Sequence, residues 1–148
     1  MRDRLVGGWG LQSWTVHPAD GGIVHPFGER AQDNLIYAPG GWMSVQIAAA
    51  DPPGSPVDEQ LDFPGTAAYP GYLAYCRTYG VEDGVVLHDV TLSLLPDWVS
   101  TRQARRYELR GDVLVRRTVA AADGRPPSNA LRWLREEAMN SGPAAPQY

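Results

Sequence analysis

The chain contains no lysine: all thirteen of its basic residues are arginine. A mechanism that captures a carbonyl as a Schiff base therefore has no side-chain amine to use. A GC-rich coding bias explains the same deficit without reference to chemistry. Cysteine is reduced to Cys76 alone, which excludes an intrachain disulfide, argues against a thiolate zinc site and agrees with a reducing compartment. Cys76 reads as a small packed side chain. No apolar run approaches the roughly 18 residues of a membrane-spanning helix. Met1 to Leu5 lead into a Gly/Trp segment instead of an apolar signal core, so a cytoplasmic protein with no membrane partner is expected. The three histidines, His17, His25 and His88, are too dispersed for a recognised metal spacing, although a three-residue first turn would bring His17 and His25 to one face. No serine stands in a Gly-x-Ser-x-Gly setting and no Gly-rich phosphate loop occurs, so neither a cofactor nor nucleotide chemistry is expected.

What is present fits one globular domain: 148 residues, 43% hydrophobic, 20% charged, net charge −4. Short period-two segments alternate with Gly, Pro and Asp, the pattern of an all-β sandwich or barrel of about eight strands. The expected strands are Gly8 to Val16, Ile23 to His25, Asn34 to Tyr37, Trp42 to Ala48, Gly71 to Val81, Val85 to Leu95, Thr101 to Arg110, Val113 to Val119 and Ala130 to Arg135. Between Ala50 and Gly71 lie five prolines, and there Ser55-Pro56-Val57-Asp58 reads as the start of a short helix over Pro56 to Leu61. Such a helix would be a lid over one end, or a surface crossover without a role. The domain is expected over 1–136, with 137–148 a flexible tail. Arg102, Arg105, Arg106, Arg110, Arg116 and Arg117 form a basic hairpin. With Glu108 and Asp112 interleaved and the chain acidic overall, this reads as a solvated face and no nucleic acid is expected.

Gly7-Gly8-Trp9 matches the Gly-x-Trp that opens lipocalin barrels, with Arg132 or Arg135 available as the last-strand partner of the Trp. In order, Tyr37-Ala38-Pro39-Gly40-Gly41-Trp42-Met43-Ser44, Gly71-Tyr72-Leu73-Ala74-Tyr75, Leu94-Leu95-Pro96-Asp97-Trp98 and Arg105-Arg106-Tyr107-Glu108-Leu109 resemble a bacterial and fungal lipocalin-like domain family. The resemblance covers about residues 5 to 135. It implies a closed or nearly closed antiparallel β-barrel whose lumen takes a small molecule, and it links the chain to a family with members in secondary metabolism. Arg77 departs from the small residue the resemblance implies at that place.

Strand parity sorts the side chains, since alternate residues face opposite ways. In Thr101 to Arg110 the row Arg102, Arg106, Glu108 and Arg110 is charged, which turns Gln103, Arg105, Tyr107 and Leu109 inward. In Val85 to Leu95 the row Val86, His88, Val90, Leu92 and Leu94 is the more apolar. Met43, Val45, Ile47, Leu35 and Tyr37 face inward by the same reasoning, and Leu73, Tyr75, Arg77 and Tyr79 are favoured over the alternate row. Trp133, from the last strand, completes the expected wall.

An inward guanidinium cannot shed its proton. Arg105 then pairs with carbonyls and Gln103, with a carboxylate such as Asp97, or with an anionic group of a ligand. His88 is a hydrogen-bonded core residue or an acid-base group. Two functions follow. One is a cofactor-free cyclase, isomerase or dehydratase that acts on a polyketide-like intermediate, with His88, Arg105 and Tyr75 as its catalytic residues. The other is a carrier for a small hydrophobic or amphipathic molecule. Neither demands more than a monomer or a homodimer.

Overall fold

The computed structural model of the chain describes residues 2–18, 21–50, 57–58, 63–64, 71–119 and 129–136. After a short 3-10 turn at Arg2–Leu5 the chain enters β1 (Gly7–Val16), followed by β2 (Gln32–Tyr37), β3 (Trp42–Ala48), β4 (Val57–Asp58), β5 (Phe63–Pro64), β6 (Tyr72–Glu82), β7 (Val85–Ser93), β8 (Thr101–Arg110), β9 (Val113–Thr118) and β10 (Asn129–Arg135). Eight of these close into an antiparallel barrel in the order β1-β10-β9-β8-β7-β6-β3-β2. Apart from the separate β4–β5 pair between β3 and β6, successive strands are sheet neighbours, and β1 is held on one side by β10 and on the other by β2. Closure gives each of the eight barrel strands a partner on both sides.

The turns explain the meander locally. Asp83 and Gly84 adopt φ of 47° and 75°, a two-residue turn of the twist that suits a hairpin, between β6 and β7. In β3 the buried Met43, Val45 and Ile47 alternate with less buried neighbours, as a one-sided strand requires.

One end is sealed. Leu5 and Trp9 are fully buried there, and the Trp9 Nε1–H donates to the Leu5 carbonyl at 2.9 Å. Of the two arginines offered by the last strand, Arg135 is the partner. Its guanidinium lies 4.3 Å from the Trp9 ring centre and donates to the carbonyls of Val6 (2.8 Å) and Arg4 (3.0 Å) and to Asp112 (3.2 Å). Gly7 sits at φ +133°, with Arg135 Nη1 3.1 Å from where a Cβ would stand. Replacing Gly7 with alanine is expected to cost on the order of 1–3 kcal/mol through that strained backbone, read as a lower urea midpoint at unchanged slope.

Four expectations are corrected. The first hairpin shrinks to a single bridge, Val16 with Val24, and the barrel neighbour on that edge of β1 is β2, along Gly7 to Trp9. Of the helix expected over Pro56 to Leu61, the two described residues, Val57 and Asp58, are instead extended and pair with Pro64 and Phe63, as suits a β-branched residue. Leu92 was expected in the lumen and is 65% exposed. The β6–β7 pairing shifts register between Cys76 and Arg77, which face Leu92 and Val90. Thr91 is thus the extra residue of a bulge, and inward parity ends at Val90. At the same irregularity Arg77 is exposed, with its guanidinium 4.7 Å from the ring centre of half-exposed Trp42. Stacked there it keeps its hydration, which a lumenal position without a carboxylate would remove. The remainder of the lid segment and the tail at 137–148 lie outside the described residues.

No helix among the described residues is long and apolar enough to cross a membrane. Nor do three of His, Cys, Asp and Glu gather there where they could hold a metal ion.

Candidate functional site

Toward the end opposite Trp9, the barrel encloses a cavity of about 360 Å³, within the size range of small-molecule sites. Its outer part is aromatic. Trp14 from β1 packs edge-on against Phe27, with centroids 4.9 Å apart, and the Trp14 Nε1–H donates to Asn129 Oδ1 at 3.1 Å. Trp98, from the 3-10 turn Pro96–Trp98, meets Tyr75 at 5.4 Å. Val45, Ile47, Leu73 and Leu131 form apolar walls, and Tyr75, Arg105 and Arg116 provide polar groups at its inner end.

The polar end is built by neighbouring strands. Tyr75 on β6 stands opposite Val45 and Ser93. Arg105 on β8 stands opposite Thr118, and Arg116 on β9 opposite Tyr107. Behind them His88, on β7, has no exposed surface. Its Nε2 lies 2.8 Å from the Tyr37 hydroxyl and its Nδ1 2.9 Å from the Tyr75 hydroxyl. Arg116 Nη1 donates to the Tyr37 oxygen at 3.2 Å and comes within 3.5 Å of His88 Nε2.

A guanidinium only donates, and this orders the whole network. His88 Nε2 faces an arginine N–H and must be the lone-pair nitrogen. Tyr37, which accepts from Arg116, gives its own proton to Nε2. The imidazole hydrogen then sits on Nδ1 and points at the Tyr75 oxygen, which frees the Tyr75 O–H to donate into the cavity.

The electrostatics agree. Burial, then Arg116, then Arg105, hold His88 well below the ordinary imidazole range, so the ring is neutral near pH 7. Burial pushes Tyr37 up to about 12 against the opposing pull of Arg116, so it stays a phenol. The inner end therefore presents hydrogen-bond donors and positive charge.

Of the three residues assigned catalysis from sequence, Tyr75 and Arg105 line the cavity, whereas His88 is sealed beneath it. Of those assigned ligand contact, Val45 is a wall residue. Tyr37, Met43, Tyr79, Val90 and Trp133 are buried in the core, and Tyr107 packs partly buried against it. Gln103 supports Arg105, its Oε1 accepting from Nη2 at 3.4 Å. Arg77 and Leu92 are exposed.

Sequence reasoning placed Arg116 on a solvated face, yet it is 3% exposed. The signal was present: Arg105-Arg106 and Arg116-Arg117 are doublets within strands, and parity sends one member of each into the lumen. Their outward partners behave as surface charges, Arg117 pairing with Glu108 at 2.9 Å. Trp14, Phe27 and Trp98 were also missed as lining residues. Phe27 and Trp98 stand outside the strands, where parity assigns no face, and Trp14 follows a register shift in β1 between Leu11 and Ser13 that reverses the parity set by Trp9.

A family model described as a lipocalin-like domain matches residues 6–135 of the chain. Among curated proteins, a 4'-hydroxy-3'-methoxypropiophenone carrier protein of Aspergillus oryzae is 34% identical over 91 residues, a match that covers 52% of this chain and 79% of that protein.

Proposed function

Because the chain belongs to the lipocalin-like domain family, we propose that its barrel is a carrier for one small, mostly apolar molecule that bears an oxygen at one end. The observation that carries this reading is the cavity itself, apolar around its sides and donor-rich at its inner end. The compound named for the Aspergillus relative has a phenol and its methoxy neighbour at one end of an aromatic ring and a propanoyl ketone at the other. Its ring and alkyl chain suit the Val45, Ile47, Leu73 and Leu131 walls, and its phenol oxygen suits the Tyr75 hydroxyl or an arginine N–H.

The rival reading is a cofactor-free cyclase or isomerase on a polyketide-like intermediate. It draws on the Tyr37–His88–Tyr75 chain, which has the connectivity of a proton relay. Against it, His88 has both ring nitrogens engaged and is held neutral, and the described lining residues include no carboxylate or imidazole to act as a base.

Incubation with 4'-hydroxy-3'-methoxypropiophenone followed by native mass spectrometry is expected to show one guest per barrel, recovered chemically unchanged. Multiple turnovers of an enone or polyketide-like compound that vanish in His88→Ala or Arg105→Ala would replace the carrier by the enzyme.

A further inference from the structure

We infer that the inner end of the cavity is an anion site, and that the barrel carries its guest as the conjugate base, a phenolate or comparable oxyanion held by Arg116 and Arg105. The inference rests on the carrier reading and goes further, because it fixes the charge state of the cargo.

Its basis is an imbalance of charge. Arg105 and Arg116 are diagonal neighbours on adjacent strands, Arg105 opposite Thr118 and Arg116 opposite Tyr107, and both line the cavity. Arg105 gives hydrogen bonds to the Ala104 carbonyl at 2.8 Å and to Gln103, both neutral acceptors. Arg116 gives one to the Tyr37 hydroxyl and lies with its guanidinium carbon 5.0 Å from the Trp133 ring centre. Its Nε is buried and has no hydrogen-bond partner. Among the described residues, the ion pairs made by arginine involve Arg102, Arg110, Arg117 and Arg135 instead.

Among the described residues, no group around Arg116 supplies the missing negative charge near neutral pH. Tyr37 faces it from β2, Tyr75 from β6, His88 from β7 and Arg105 from β8. β3 offers Val45 and Ile47, β10 Leu131 and Trp133, and β1 Trp14. The first two are phenols, the third a neutral imidazole and the fourth a second cation. A buried cation left without a counter-charge is costly. A guest oxyanion beside the Arg105 and Arg116 guanidinium groups that line the cavity removes that cost and can take the Tyr75 O–H as well. The phenol proton of the guest leaves to bulk water as the complex forms.

The test compares two guests on the unaltered protein: 4'-hydroxy-3'-methoxypropiophenone and its methyl ether at the phenol oxygen, which cannot ionise. The bound phenol is expected to show the red-shifted phenolate band at a pH where the free compound lacks it. Its affinity should rise about tenfold per pH unit between the bound and free ionisation points and then level off. The ether should bind with no such dependence. Arg105→Gln and Arg116→Gln should each shrink the preference for the phenol by about tenfold, and the guest pair reads the outcome even if one variant misfolds. A phenol that binds un-ionised, no tighter than its ether at any pH, overturns the anion site and leaves the carrier standing. Retention of neither guest overturns both.

Discussion

Replacing Trp9 with alanine is expected to remove about 4 kcal/mol of stability, the midrange for deleting a buried aromatic side chain, from a domain whose total is of order 5–15 kcal/mol. Three losses act together. The indole is fully buried and its removal opens a void at the sealed end. The hydrogen bond to the Leu5 carbonyl, of order 1 kcal/mol, disappears. Arg135, whose side chain is 19% exposed, loses the ring it lies against. Trp9→Phe retains most of the apolar contact and should lose roughly 1 kcal/mol, the hydrogen-bond share. Trp42→Ala, at a half-exposed ring, should change stability by roughly 0.5 kcal/mol or less beyond its stacking on Arg77. Urea unfolding followed by far-ultraviolet circular dichroism ranks the three. A Trp9→Ala midpoint no lower than that of Trp42→Ala would mean that the seal is not made by this residue.

Acid should undermine the barrel through His88. In the native state its pKa is depressed by burial and by the two guanidinium groups, whereas in the unfolded chain it returns to about 6.5. Above that value neither state holds the proton and His88 adds no slope. Below it the unfolded chain takes up a proton that the native ring refuses, so stability falls as pH falls. The slope is about 1.4 kcal/mol per pH unit until the folded pKa is reached. Protonation would also force Nε2 to donate toward Arg116 and Tyr37, breaking the order of the network. His88→Gln should be less stable at pH 7, by about 1–3 kcal/mol for a buried hydroxyl left unsatisfied. It should also have a flatter acid limb by one proton. His17 and His25 are common to both proteins, so the difference in slope between pH 6.5 and 5.5, taken from urea midpoints, isolates His88. Equal slopes would place a solvated, ordinary imidazole where the structure has a sealed one.

The sequence disclosed most of the barrel and only part of its interior, for a reason rooted in the pleat. Parity along β3 and β8 turned Met43, Val45, Ile47 and Arg105 inward, because each strand has one face of distinct chemistry. In β7 the same logic held to Val90 and then failed at Leu92, since one extra residue in a bulge reverses every later side chain and leaves no mark in composition. In β9 parity goes unused and the basic residues read together as a solvated face, yet each of its rows, Val113, Val115 and Arg117 or Leu114, Arg116 and Thr118, carries one arginine. The Arg116-Arg117 doublet held the correction, because two adjacent strand residues cannot share a face. The helix expected after Ser55 followed a capping pattern, yet local capping gave way to strand pairing of Val57 and Asp58.

A barrel plugged at Trp9 and Arg135 and hollow at the far end is, among the described residues, entered from one side, and that would govern the order in which a guest leaves. Under the carrier reading a guest could not thread through: it would back out along the path by which it came, leaving Arg116 first and passing Trp14, Phe27 and Trp98 last. Seated with its oxyanion innermost, it would show its alkyl end at the mouth, and its polar grip would be the first contact broken on the way out.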